Sequence, residues 1–302
     1  MKLPIDTFKD KLGNEIFRIY ISTSQPMKRQ KRLHRHTEFE LSLILSGSGI
    51  YNTKSGDYHF RQGDIFLFSS NEYHCITDFF EYGEQKELQL LNIQFAPAFI
   101  YAADNFNATS FMNVFINRTE QFRNMLTRDN PCTASIRQTF YHVKQECEEK
   151  KPCYHTEVRN SIISILINIF RNYNYANFTI DSAPNHADIH NLQKAVAFIN
   201  ENFCEDISLD DIAQAAYISK YHFARLFRSV YNMTVWNYIT IQRIDKAIHL
   251  LSSSNENITN IAMKSGFNSV TNFNRIFKKV TGCIPKEYRQ NYSSTQLNKI
   301  YH

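Results

Sequence analysis

The chain has 302 residues, 43% of them apolar, with 34 Lys+Arg against 29 Asp+Glu for a formal net charge of +5. That apolar share excludes disorder over the whole chain, and the length fits roughly two domains. Residues 1–187 carry a net charge of +1 and residues 188–302 a net of +4, so a nucleic-acid or membrane contact is expected in the last third. The start, Met1 to Asp6, has no apolar run, so no secretory signal is expected. The most apolar stretch, Ile162 to Phe170, is too short to span a bilayer. Six cysteines without a Cys-x-x-Cys pair point to reduced thiols and a cytoplasmic protein.

Residues 15–100 read as β-structure. Ile16–Ser22, Glu38–Leu45, Gly49–Lys54, Asp64–Phe68 and Leu88–Phe95 are short and rich in Ile, Leu, Phe and Tyr. Glycine turns at Gly47, Gly49, Gly56 and Gly63 separate them, the pattern of a sandwich or barrel. From about residue 110 the period becomes helical. Ile136, Phe140, Val143 and Cys147 share one face, and Val158, Ile162, Ile165, Leu166, Ile169 and Phe170 share another. Together they predict an αα-hairpin with one side on the barrel. The other side is either a dimer seam or more intrachain core. Asp181 to Ala187 breaks both patterns and reads as a linker. The expected division is therefore 1–105 barrel, 106–180 helical hairpin, 181–187 linker, 188–290 all-α domain and 291–302 polar tail.

The last third contains a repeat. Ile212-Ala213, Ser219, Phe223, Arg225, Phe227 and Val230 return as Ile261-Ala262, Ser269, Phe273, Arg275, Phe277 and Val280. The offset is 49 residues in the first half of the unit and 50 in the second. Each unit reads as helix, turn, helix. Ser208 with Asp211 forms a capping-box-like start, and Asn257 holds the matching place in the second copy. Gly266 gives the second turn its backbone freedom. The second helices, Lys220–Ser229 and Val270–Lys279, put Phe223, Phe227, Phe273 and Phe277 inward, and Val235–Leu251 is a long helix between the units. Arg, Asn and Thr on the other face suit base edges, and flanking Lys and Arg suit phosphate. The alternative is an all-α domain with a solvated basic face.

These residues also carry a resemblance. From about Leu192 to Arg289 the chain resembles the DNA-binding domain of the AraC/XylS family of transcriptional regulators. The resemblance rests on Ala213 and Ala262, on Arg243, Ala247, Leu250 and Leu251, and on Gly266-Phe267. It extends through Phe273 to Lys279, Gly282, and Pro285 to Arg289. It implies base contacts from Tyr221, Ala224 and Arg225 and from Val270, Thr271, Asn274 and Arg275. Arg228, Lys278 and Lys279 lie on or beside the same helices. Tyr217 and Asn232 stand where the family usually has Gly, and Tyr217 implies an altered first turn.

His34, His36, Glu40 and Gly47, followed by Gly63-Asp64 and His74, resemble the two cupin motifs, so the N-terminal half resembles the family's cupin-like sensor domain. Positions 34, 36 and 40 share parity, which would put them on one strand face. His34, His36, Glu40 and His74 could hold a divalent metal. The resemblance implies instead a metal-free pocket, with no cofactor, where these groups hydrogen-bond a small effector, a carbohydrate being a common one. The fold class expected is α+β multidomain: a cupin-like β-barrel with an αα-hairpin, then an all-α domain with two helix-turn-helix units. The function expected is a sequence-specific, effector-responsive transcription regulator, not an enzyme. Its expected partners are double-stranded promoter DNA, a second copy of the chain and, for an activator, RNA polymerase. Alternatives are a cupin metalloenzyme fused to a DNA-binding module, and a constitutive regulator with a ligandless barrel.

Overall fold

The computed structural model describes residues 2–24, 35–53, 55–80, 87–101, 111–177 and 186–290. The linker expected at 181–187 falls largely outside these residues, and the tail at 291–302 and His34 fall wholly outside them. Among the described residues no helix is long and apolar enough to cross a membrane.

The N-terminal half is built from two antiparallel sheets. One has the order β1 (Lys2–Lys9), β2 (Glu15–Ser24), β8 (Leu88–Phe95), β3 (Phe39–Ser46), β6 (Ile65–Phe68). The other is β5 (Gly56–Phe60), β4 (Ser48–Thr53), β7 (His74–Phe80). The expected strands match β2, β3, β4, β6 and β8 to within two residues at each end. β1, β5 and β7 were not expected. β1 is an edge strand with a bulge beside Pro4, and most of its residues reach solvent, so it lacks an apolar signature.

At β8, β3 and β6 the larger sheet is buried on both faces, which is why β3 shows no alternation of burial. Phe39, Leu41, Leu43, Ile65, Leu67, Leu91, Ile93 and Phe95 face the helices. Ile44, Phe66, Phe68, Leu88 and Leu90 face the small sheet and meet its Tyr51, Phe60 and Phe79. Two short helices, α1 (Pro97–Tyr101) and α2 (Asn113–Ile116), precede the hairpin. In α3 (Pro131–Glu149), Asn130 caps the N-terminus by accepting from Cys132 N at 2.9 Å, and Pro131 occupies the first turn, where a missing N–H costs nothing. α4 (Tyr154–Asn172) returns antiparallel beside it. The predicted apolar faces of both are buried, with Phe170 only half-buried. The outer face carries Gln138, His142, Glu157 and Asn160 and is exposed, so it is not intrachain core.

The C-terminal half is all-helical: α5 (His186–Asn202), α6 (Leu209–Ala215), α7 (Lys220–Tyr231), α8 (Val235–Ser253), α9 (Ile258–Lys264) and α10 (Val270–Thr281). Residues 285–290 add a further helical turn. The long α8 joins the α6–α7 unit to the α9–α10 unit, as the sequence predicts.

Candidate DNA interface and effector pocket

The two helix-turn-helix units are built from the same local devices. Ser208 and Asp211 form the capping box of α6, with Ser208 N donating to Asp211 at 2.8 Å and Asp211 N to Ser208 Oγ at 3.1 Å. Asn257 caps α9 by accepting from Asn260 N at 2.7 Å. The second helices of the two units, α7 and α10, start alike: Ser219 accepts from His222 N and Ser269 from Asn272 N. Phe223, Phe227, Phe273 and Phe277 are fully buried and anchor each helix by its apolar side.

The first turn is not altered. Tyr217 takes a left-handed φ of +57°, matching Gly266 at +84°. Asn232 (φ +52°) likewise matches Gly282 (φ +84°) at the ends of α7 and α10. Tyr217 is 81% exposed, and its ring lies 4.9 Å from the Lys194 ammonium. Its strain follows from Cβ crowding, so Tyr217→Gly is expected to raise stability by about 1 kcal/mol, read as a higher thermal midpoint. A lower midpoint would show that the tyrosine's surface contacts outweigh the backbone term.

The sequence-predicted DNA residues lie away from the buried Phe anchors, except Val270, which packs against the apolar cluster of Phe273 and Phe277. Tyr221, Arg225, Arg228, Thr271, Arg275, Lys278 and Lys279 are exposed, whereas Ala224, Val270 and Asn274 are half-buried. Arg225 and Arg275 occupy matching places and each reaches back one turn. Arg225 lies 3.4 Å from His222 Nδ1, and Arg275 donates to Asn272 Oδ1 at 2.8 Å. Lys220 is already committed to Asp210 at 3.1 Å.

In the sensor half, His36, Glu40 and His74 are buried, and their ligand atoms lie within 4.8 Å of one another. They do not meet by strand parity. β3 begins at Phe39, and His36 approaches from the preceding loop. His36 Nδ1 pairs with the Glu38 carbonyl at 3.0 Å, and His74 Nδ1 with the Glu72 carbonyl at 2.9 Å. Those bonds turn both Nε2 atoms toward Glu40, at 3.0 and 3.9 Å. Burial opposes charge on Glu40, but the His36 hydrogen bond, the charges of His36 and His74, and the Gln94 amide outweigh it and hold its pKa well below the usual range. Burial also opposes charge on His36, yet Glu40 and Glu38 raise its pKa. Asp64, from the second cupin-like motif, lies elsewhere, clamped by Arg128 at 2.6 and 2.5 Å.

The trio is part of a larger polar layer that sequence reasoning missed. Ser42 Oγ lies 2.8 Å from Glu40 Oε1 and 2.6 Å from Asn92 Oδ1. Asn92 donates to Ser22 Oγ at 2.8 Å, Gln94 donates to Glu40, and Arg18 donates to Gln94 Oε1 at 2.5 Å. The signal was available. Arg18, Tyr20 and Ser22 alternate on β2, Asn92 and Gln94 on β8, and Glu40 and Ser42 on β3, and the register pairs Tyr20 and Ser42 with Asn92. Beside this layer, Phe68 stacks on His74 with centroids 3.9 Å apart. The geometry allows two uses of His36, Glu40 and His74: an oriented hydrogen-bonding wall, or two imidazoles and a carboxylate toward a divalent ion.

Comparison with known proteins agrees with both halves. The profile of the AraC-like ligand binding domain matches residues 18–140, and that of a helix-turn-helix domain matches residues 212–291. The transcriptional activator RhaR of Mannheimia succiniciproducens is 25% identical over 282 residues, covering 90% of this chain and 95% of that protein. The transcriptional activator AarP of Providencia stuartii is 34% identical over 109 residues, 36% of this chain and 79% of AarP. ToxT from Vibrio cholerae shares the fold, with a TM-score of 0.55 at 15% identity over 91% of this chain and 98% of ToxT. A β-sheet ligand-binding half, a helical half with two capped helix-turn-helix units, and relatives that are transcriptional activators lead to one conclusion: the chain belongs to the AraC/XylS family and is a DNA-binding transcription regulator.

Proposed function

We propose that each chain places α7 and α10 in successive major grooves of promoter DNA, about 34 Å apart, and that a carbohydrate bound in the barrel controls this. The observation that carries the DNA part is the pair of identically capped helices with buried Phe anchors and exposed Arg225, Arg228, Arg275, Lys278 and Lys279. Tyr221, Ala224, Val270, Thr271 and Asn274 complete the base-reading faces. Arg275→Ala is expected to cost about 1–3 kcal/mol and to relax base preference in one half of the site. Selection of bound duplexes from random DNA checks this, and an unchanged preference would remove Arg275 from base reading. Pairing of two chains through the outer face of α3 and α4, and contact with RNA polymerase at an activated promoter, belong to the same reading.

The polar layer around His36, Glu40, Ser42, Asn92 and Gln94, with Tyr20 and Phe68 beside it, supports a hydroxyl-rich effector. One matched relative, over 110 residues, is the melibiose operon regulatory protein of Escherichia coli, whereas one ToxT structure holds an unsaturated fatty acid. A thermal-shift screen with mono- and disaccharides and with fatty acids decides, because a true effector stabilises the folded chain by mass action. Response to fatty acids alone would overturn the carbohydrate.

The close approach of His36, Glu40 and His74 favours one second reading, a divalent ion held there in place of a sugar. Elemental analysis of the purified chain separates the two, since this reading requires stoichiometric metal.

A further inference from the structure

The two helix-turn-helix units are tied to the sensor in different ways. The apolar cluster of the five-stranded sheet continues through α5, α6, α7 and the first half of α8, as far as Ile241. Ile244, Ala247 and Leu251, on the second half of α8, belong instead to a separate cluster with α9 and α10. The first unit therefore shares its core with the sensor, and parting them would expose apolar surface to water. The second unit has a core of its own and can shift as a body at lower cost.

Among the described residues, two of the contacts by which that second unit meets the rest of the chain are a pivot and a strut, and Asp245 on α8 also faces the charges of Glu38, His36, Arg18 and Lys2. The pivot is Gly266, packed so closely that a Cβ there would stand 2.7 Å from Cys204 Cα and 2.8 Å from Arg243 Nε. Arg243 staples the same point, donating to the carbonyls of Phe203 (2.6 Å) and Glu205 (2.9 Å). The strut is Tyr73, whose hydroxyl donates to the Lys279 carbonyl near the end of α10 at 3.2 Å. Arg35 lies 4.8 Å above the Tyr73 ring.

Tyr73 sits between Glu72, whose carbonyl holds His74 Nδ1, and His74 itself. Its loop is bonded to the loop that carries His36: Asn71 N donates to the His36 carbonyl at 2.7 Å and Ser70 Oγ to the Thr37 carbonyl at 2.6 Å. A displacement of either imidazole is thus passed to the Tyr73 backbone. The inner faces of these two loops line the polar layer, and Tyr73 on the outside touches α10.

We propose that the sensor controls DNA binding through the second helix-turn-helix unit, with Tyr73 as a restraint that holds α10 to the barrel while the first unit moves as part of the sensor. The proposal rests on the reading that both units bind DNA. Released from Tyr73, the second unit turns about the Gly266 pivot and follows the groove, so the restraint opposes binding. One hydrogen bond of this kind changes an equilibrium by about fivefold.

The test uses the full chain, wild type and Tyr73→Phe, which keeps the ring and its contact with Arg35. The probe is a duplex selected by the wild-type chain from random DNA, together with the same duplex scrambled in the half that makes it sensitive to Arg275→Ala. Tyr73→Phe is expected to bind the intact duplex about fivefold tighter and the scrambled duplex as wild type does. Unchanged or weaker binding to the intact duplex, or an equal shift on both, overturns the restraint. A wild-type chain that selects no duplex overturns the DNA reading and the restraint with it.

Discussion

Glu40→Ala is expected to destabilise the sensor half by about 3–5 kcal/mol, the usual cost of removing one partner from a buried charged network. Glu40 is 3% exposed, with His36 Nε2 at 3.0 Å and the Gln94 amide donating to it, and with the Ser42 hydroxyl, whose one proton is shared between Glu40 and Asn92 Oδ1, at 2.8 Å. Truncation leaves those donors facing a cavity that water reaches poorly, and each loses a bond that unfolding would return. Equilibrium urea unfolding measures the effect as a lower midpoint. Because the sensor and the first unit share one apolar cluster, their loss is expected as a single transition, with the second unit separable from it. A change below about 1 kcal/mol would mean that the pocket is wet and its donors are solvated.

Gly266→Ala is the second large effect, expected at about 2–4 kcal/mol from two sources. A left-handed φ of +84° costs an L side chain about 1–2 kcal/mol. The added Cβ would also meet the Cys204 backbone at 2.7 and 2.8 Å, and backbone there does not yield cheaply. Gly282→Ala is the internal control. It has the same φ of +84° with nothing within 4 Å of an added Cβ, so it is expected to cost only the backbone part, about 1–2 kcal/mol. Thermal melts of the two variants separate backbone strain from the close approach. Equal costs would mean that the approach at Cys204 relaxes freely.

Much of the fold was legible because burial leaves a period. The α3 and α4 faces, the Phe anchors of α7 and α10 and the inner strands all carry apolar residues at the spacing of their element. The caps at Ser208, Ser219, Asn257 and Ser269 were legible for a local reason, since the capping atom and the capped N–H are three residues apart. Strand β1 was not legible because an edge strand pairs through its backbone and need not bury alternate side chains. The resemblance implied an altered turn at Tyr217, because a tyrosine stands there in place of the family's Gly, yet the turn keeps its left-handed form. Surrounding contacts, including Ile218 N to the Ala213 carbonyl at 3.1 Å, hold a tyrosine in a conformation that glycine would adopt freely.

The sequence by itself determined the repeat, the exposed basic faces of α7 and α10 and the meeting of His36, Glu40 and His74, because each depends on spacing along the chain or on a motif with fixed spacing. The alternation of Arg18, Tyr20 and Ser22 and of Asn92 and Gln94 was visible in the sequence, but their meeting in one polar layer was not, because strands β2 and β8 become neighbours only when the sheet closes across some 70 residues of chain. Nor did the sequence contain the inequality of the two units, which are alike in sequence. Only packing decided that one shares the sensor's core while the other stands on its own, joined through Gly266, Arg243 and the Tyr73 hydroxyl. Local periodicity records which face an element buries. Which other element covers that face is a property of the whole chain.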